Sequence, residues 1–155
     1  MSEISIRPAK HEDSGLLFGL ICEMSEYERL PMLLTEHQLS LDGFGEAPLF
    51  RAFLAFADAE PAGYALTHAC YTDFEGRGLF LESLYVKEPF RGQGVADQLL
   101  SEVARVARDQ ECYGIILNIL RWNSPALAFF KKAGAVELND RTIYVIPRSV
   151  EPPPP

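Results

Sequence analysis

The residues of this chain that could do chemistry gather around one carboxylate and one loop. Glu82 is the lone acid in Leu79-Phe80-Leu81-Glu82-Ser83-Leu84-Tyr85-Val86, an apolar run rich in β-formers that reads as a buried strand. Alternation groups Glu82 with Phe80, Leu84 and Val86. Desolvation on such a strand disfavours a charged carboxylate, which suits it to accept a proton as a general base. Arg91-Gly92-Gln93-Gly94-Val95-Ala96 follows shortly after. Beyond it Val95, Leu99, Leu100, Val103, Ala104, Val106 and Ala107 recur at helical spacing, so the loop joins a strand end to a helix start. The first amides of a helix lack intrahelical partners and carry the positive end of its dipole. Glycines let a phosphate approach them, and the junction is therefore an anion site. It is not a P-loop, because no lysine lies between Glu88 and Lys131. Nor does Gly92-x-Gly94 supply the third glycine of a dinucleotide fingerprint. What remains is Arg-x-x-Gly-x-Gly/Ala, met by Arg91, Gly94 and Ala96.

The elements that must position these groups can be read in order. Ile4-Ser5-Ile6-Arg7 alternates and stops at Pro8, predicting a first strand. From His11 to Arg29, Leu16, Leu17, Leu20, Ile21 and Met24 give a helix with one buried face, closed by Pro31. Thr35 to Gln38 is a capping-box signature for a short helix through Leu41. Phe50–Ala57 and Ala62–Tyr71 form a hairpin around Asp58 to Pro61, and Asp73 to Gly78 turns the chain into the Glu82 strand. After the central helix, ended near Gly114, Ile115 to Leu120 is a continuous apolar strand. Ser124 is the expected N-cap and Pro125 the first turn of a last helix, which carries Leu127, Phe129 and Phe130 and ends at Gly134. Thr142 to Ile146 reads as a final strand. The order is β-α-α-β-β-β-α-β-α-β, an α/β chain with a mixed, mostly antiparallel sheet flanked by helices. A single domain spans 1–148, followed by a Pro-rich tail at 149–155.

Composition narrows the function classes. With 155 residues, 48% hydrophobic and 23% charged, the chain suits one soluble domain. Its net charge of −8 argues against nucleic acid, and the first fifty residues hold nine acids against three bases, which suits a cationic partner. Cys22, Cys70 and Cys112 are odd in number and widely spaced, fitting buried thiols in a reducing compartment rather than disulfides or zinc. The apolar run Leu16–Cys22 is too short to span a bilayer, and a cytoplasmic location without membrane attachment is expected. His11, His37 and His68 belong to no metal spacing, and no metal is expected.

The Arg91 loop resembles the pyrophosphate-binding loop of the GNAT acetyltransferases, which hold acetyl-CoA there. Further stretches are similar to the spermidine/spermine acetyltransferase family, whose close relatives acetylate thialysine: Ile6-Arg7-Pro8-Ala9, Tyr27-Glu28, Leu34-Thr35-Glu36, Asp42-Gly43-Phe44-Gly45-Glu46, Trp122-Asn123 and Gly134-Ala135. The likeness runs from about Ile4 to Leu138. It implies that Glu82 contacts the amine as base and that Tyr27 and Glu28 line the amine site. It implies that backbone at Leu84, Tyr85 and Val86 holds the acetyl and pantetheine end of acetyl-CoA. Amides of Gly92, Gln93, Gly94, Val95, Ala96 and Asp97 would hold the pyrophosphate, with Arg91 either on a phosphate or at the surface. Asn123, Ser124, Pro125 and Ala126 would lie along the cofactor, and a homodimer is implied.

Two departures stand out. The family expects a tyrosine that protonates the departing thiolate where this chain has Phe130; Tyr144 and Tyr85 are the available phenols, neither at a matching position. The family's acidic, Trp-containing loop is shortened to Asn139-Asp140-Arg141. The leading expectation is direct acetyl transfer to a small cationic amine of polyamine or diamine type. Thialysine or a lysine-like amino acid is the alternative substrate, and protein lysines are a third. A non-catalytic acyl-CoA-binding module is the alternative of another class.

Overall fold

The computed structural model describes residues 1–148, and the terminal tail at 149–155 lies outside them. Packing divides the chain into two units, Met1–Asn118 and a second beginning at Ile119.

The first unit is built on a five-stranded sheet in the order β1-β2-β3-β4-β5. Its strands are β1 (Ile4–Pro8), β2 (Arg51–Ala57), β3 (Glu60–Thr72), β4 (Gly76–Val86) and β5 (Ile115–Leu117). The first four pair antiparallel with their neighbours and β5 joins β4 in parallel, giving the mixed sheet expected. The β2–β3 turn is tighter than predicted. It uses only Asp58 and Ala59, at φ 48° and 70°, the double positive φ of a two-residue hairpin matched to strand twist. Asp58 is fixed there because its carboxylate accepts from the Glu3 N–H at 2.8 Å.

β2 and β3 are covered on both faces. On one, α1 (Ser14–Glu28) and α2 (Glu36–Phe44) bury Leu17, Leu20 and Leu39 against Ala52, Leu54, Tyr64 and Leu66. The alternate residues face α3 (Val95–Asp109), whose Val95, Leu99, Val103 and Val106 are buried along one stripe. A short 3-10 turn at His11–Asp13 leads into α1. Thr35 caps α2 by accepting from the Gln38 N–H at 3.1 Å, as its sequence signature predicts, and the helix runs on to Phe44. Arg29, at φ 59°, closes α1 before Pro31 is reached.

Three expectations need correction. α3 ends at Asp109, and Glu111 at φ 54°, not Gly114, makes the left-handed turn. β5 is only Ile115–Leu117, paired with β4 at Leu79–Leu81, and the chain leaves the sheet there although β4 continues to Val86. In the second unit the expected strand at Thr142–Ile146 is not formed among the described residues. Ile143, Tyr144, Val145 and Ile146 are exposed there. β-branched residues favour a strand only when a neighbour supplies the ladder. The second unit's regular element is α4 (Ser124–Lys132). No helix among the described residues is long and apolar enough to cross a membrane.

Candidate active site

Glu82 owes its position to a break in register. Leu66 pairs with Ser83 and Thr67 with Leu81, leaving Glu82 as the extra residue of a β-bulge on β4. A bulge re-aims side chains, and this one turns Glu82 outward: its side chain is 56% exposed while Leu81 is buried. The expected burial of Glu82 among Phe80, Leu84 and Val86 is therefore not observed. The exposed carboxylate has a side-chain partner instead. Glu82 Oε2 lies 3.1 Å from His68 Nε2 on β3. The imidazole stacks on Phe80 with ring centroids 5.0 Å apart and planes within 10°. His68 was missed in the sequence because only the register, which sets His68 opposite Phe80, carries it to Glu82.

From Glu82 to Val86, β4 runs on past the end of its pairing with β5, so its β5-facing edge opens where Leu84, Tyr85 and Val86 lie. The Val86 carbonyl accepts from Arg91 Nε at 2.9 Å. The Arg91 guanidinium sits 4.8 Å from the Tyr27 ring centre and 6.0 Å from that of Tyr85. Arg91 thus ties the loop to the strand end and to α1 through cation–π contact.

α1 brings three acidic or phenolic groups to this end. Glu23 Oε2 is 3.5 Å from the Tyr85 hydroxyl, and Glu23 Oε1 is 3.8 Å from Lys87 Nζ. Burial holds the Glu28 carboxyl above its ordinary range. Burial likewise pushes the Tyr85 phenol up, with the Glu23 charge adding to it. Tyr64 is fully buried, and its hydroxyl donates to Met24 Sδ at 3.1 Å. Its phenol lies well above the ordinary value through burial first, opposed by a hydrogen bond with Ser83 and reinforced by the Glu28 and Glu82 charges. Both carboxylates therefore act on one buried phenol.

The loop has the shape an anion needs. Gly92 and Gly94 adopt φ 73° and 85°, and a Cβ on either would meet no protein atom within 4 Å. The first bond of the α3 ladder runs from Gln98 N–H to the Gly94 carbonyl, so the amides of Val95, Ala96 and Asp97 precede it. Gln93 turns back to donate to the Pro89 carbonyl at 2.9 Å, leaving the loop face to backbone. These residues fit the pyrophosphate of a CoA thioester.

Of the remaining expected site residues, Asn123 to Ala126 and Phe130 belong to the second unit. There Asn123, not Ser124, is the N-cap: its side-chain oxygen accepts from the Ala126 N–H at 3.3 Å. An amide oxygen placed one residue earlier reaches the free donors, and Ser124 becomes the first helical residue beside Pro125. Phe130 meets Phe129 edge-on at 5.0 Å and has no proton to donate. Tyr144 is 87% exposed. A cavity of about 520 Å³ lined by His11, Glu12, Glu36 and His37 lies by the first turns of α1 and α2, the opposite end of α1 from Tyr27 and Glu28.

A strand that presents a reachable carboxylate and then passes through a glycine turn into a helix start sets a proton acceptor beside an anion site. The acetyltransferase (GNAT) family model matches residues 19–135, and the chain belongs to that family. It uses acetyl-CoA as acetyl donor. The chain is similar to a thialysine N-epsilon-acetyltransferase of Bos taurus, 37% identical over 150 residues that cover 90% of this chain and 88% of the relative. A spermidine/spermine N(1)-acetyltransferase-like protein of Homo sapiens is 27% identical over 90% of this chain and 21% of the longer protein. Among solved structures, the aminoglycoside N-acetyltransferase AAC(6')-Iy in complex with CoA superposes with a TM-score of 0.77 at 22% identity, over 96% of this chain and 97% of the other.

Proposed function

We propose that this acetyltransferase acts on the primary amine of a small cationic substrate, with Glu82 as the base. The observation that carries the reading is the bulge that sets Glu82 outward where β4 leaves β5, just before the glycine loop. An aliphatic ammonium is protonated at pH 7 and has no lone pair until a base takes its proton. Glu82 is exposed enough to meet it. Tyr27 and Glu28 line the approach on α1, and the acid-rich first third of the chain favours a cation. Backbone at Leu84, Tyr85 and Val86 holds the acetyl and pantetheine end, and the amides of Gly92 to Asp97 hold the pyrophosphate. From the family resemblance we also assign Asn123 to Ala126, with Phe130, to the cofactor. When bound, acetyl-CoA supplies the thioester carbonyl that the amine attacks.

The higher identity to thialysine acetyltransferases supports a lysine-like amino acid as strongly as the polyamine or diamine expected first. We read both units as one acetyltransferase domain, since the family model runs across them. The enzyme is read as a cytoplasmic homodimer with no nucleic-acid or membrane partner, and the exposed apolar residues Ile143 to Ile146 favour such an association. The test is acetyl-CoA-dependent thiol release with thialysine, lysine, putrescine, spermidine, spermine and a lysine peptide. Saturable turnover with one or a few of the small cations is expected. Turnover confined to the peptide would overturn the small-substrate reading.

A further inference from the structure

We propose that His68 is the proton-holding partner of Glu82, so that the pair, and not the carboxylate alone, accepts the proton that leaves the substrate ammonium. This rests on the reading of Glu82 as the base. His68 Nδ1 lies 3.2 Å from the Ala69 carbonyl oxygen, which can only accept, so we assign the proton of the neutral ring to Nδ1. In a neutral ring that leaves Nε2 bare, and Nε2 is the atom 3.1 Å from Glu82 Oε2. A bare nitrogen and a carboxylate oxygen cannot bond to each other without a proton between them. One added proton satisfies both, so the contact has a place for the proton that leaves the ammonium. The pair without that proton is the form ready to receive one.

The surroundings support the assignment. Phe80, stacked at 5.0 Å, holds the ring plane so that its Nε2 edge meets Glu82. The bulge turns Glu82 to that edge. Of the titratable groups nearby, Tyr64 of β3 interacts with Glu82 and also with Glu28 of α1. The His68 side chain is 34% exposed, which gives a stored proton a way out to water. In the reaction the ammonium N–H bond breaks and its proton passes through Glu82 to His68 Nε2. The freed lone pair forms the C–N bond as the C–S bond breaks, and the second nitrogen proton leaves with the thiol. Amide, thiol and one proton on the pair are the products. His68 is thereby a positioning residue that acts through Glu82.

The experiment uses the full chain with acetyl-CoA and whichever amine of the panel turns over. His68→Gln retains an N–H that can hold Glu82 but does not titrate. We expect kcat at pH 7 to fall about 10-fold or more, with the KM for acetyl-CoA unchanged within about twofold. The pH profile of kcat/KM should differ measurably between His68→Gln and the parent. Added imidazole should restore part of the rate to His68→Ala. Without any substrate, the ¹⁵N shifts of the neutral His68 ring should show the proton on Nδ1. An unchanged pH profile in His68→Gln, or a neutral ring protonated on Nε2, overturns the proposal. Glu82→Gln separates the two levels: wild-type turnover there removes the base reading itself. A loss of about 10²-fold or more there, beside an unaltered His68→Gln, removes only the role given to His68.

Discussion

Replacing Gly94 by alanine tests the glycine loop against a control that the same fold supplies. Gly94 sits at φ 85° and Gly76, at the β3–β4 turn, at φ 80°, and a Cβ at either meets no protein atom within 4 Å. Backbone strain is therefore the same in both variants, roughly 1–2 kcal/mol for an L-residue in the left-handed region. At about 2–4 °C per kcal/mol for a chain of this length, each should melt about 2–8 °C lower. The two differ in what the open space is for. Gly94 directly precedes α3, where the amides of Val95, Ala96 and Asp97 come before the first ladder bond and where we propose that the phosphate binds. A methyl group there keeps the phosphate out, and losing even one charge-assisted bond, about 1.5 kcal/mol or more, weakens CoA binding about 10-fold. Calorimetric titration with CoA should thus give Gly94→Ala a Kd at least about 10-fold weaker, with Gly76→Ala within about twofold of the parent. Equal weakening in both would make the effect one of stability. A wild-type Kd for Gly94→Ala would remove the anion site from this loop.

Two further outcomes follow from particular contacts. Asp13 is buried and bound by Arg7 at 2.7 and 2.9 Å and by the Lys10 N–H at 2.7 Å, and the Arg7 bond first of all holds its carboxyl down to about 2. A lowered folded-state value stabilises above the unfolded value of 3.8 and is lost as pH falls through about 2. Because Arg7 is 43% exposed, the contribution is on the order of 1–2 kcal/mol. Asp13→Asn should therefore lower Tm at pH 7 by about 2–8 °C, and the gap from the parent should narrow by about half at pH 3; an equal gap at both pH values counts against the assignment. Phe130→Tyr, restoring the phenol the family places there, should raise kcat by up to about 10²-fold if proton donation to the thiolate limits turnover. An unchanged kcat, measured by thiol release, would show that the thiolate leaves unaided.

Much of the fold was legible because it rests on local signals. The stripe Val95, Leu99, Val103 and Val106 announces α3, and Thr35 its own cap on α2. The glycines of the loop were equally plain, since their positive φ values are a local demand. What could not be read depends on pairing between distant segments. Strand alternation placed Glu82 inward, and a single register shift between Leu66 and Thr67 turned it out. His68 reaches Glu82 only through that same register. Arg91, read as a phosphate ligand or a surface residue, proved to be held at the Val86 carbonyl between two tyrosine rings. Thr142 to Ile146 has a strand's composition without a strand's partner.

The outward turn of Glu82 changes what the proposed base must do. A buried carboxylate gains affinity for protons from desolvation, but then it also holds its proton away from water and must release it through the protein. An exposed carboxylate has the opposite difficulty: it meets the ammonium and exchanges with solvent freely, yet alone it is a weak base near pH 7. In the proposed pair, the imidazole of His68, 3.1 Å from Glu82, offers a second place for the proton beside an exposed carboxylate. The bulge, the His68 register and the Phe80 stack together bring the imidazole to an exposed Glu82, and the proposed base reading uses all three. The register shift that leaves Glu82 unpaired and the stacking of His68 on Phe80 are separate features of the two strands, and the proposed pair depends on both.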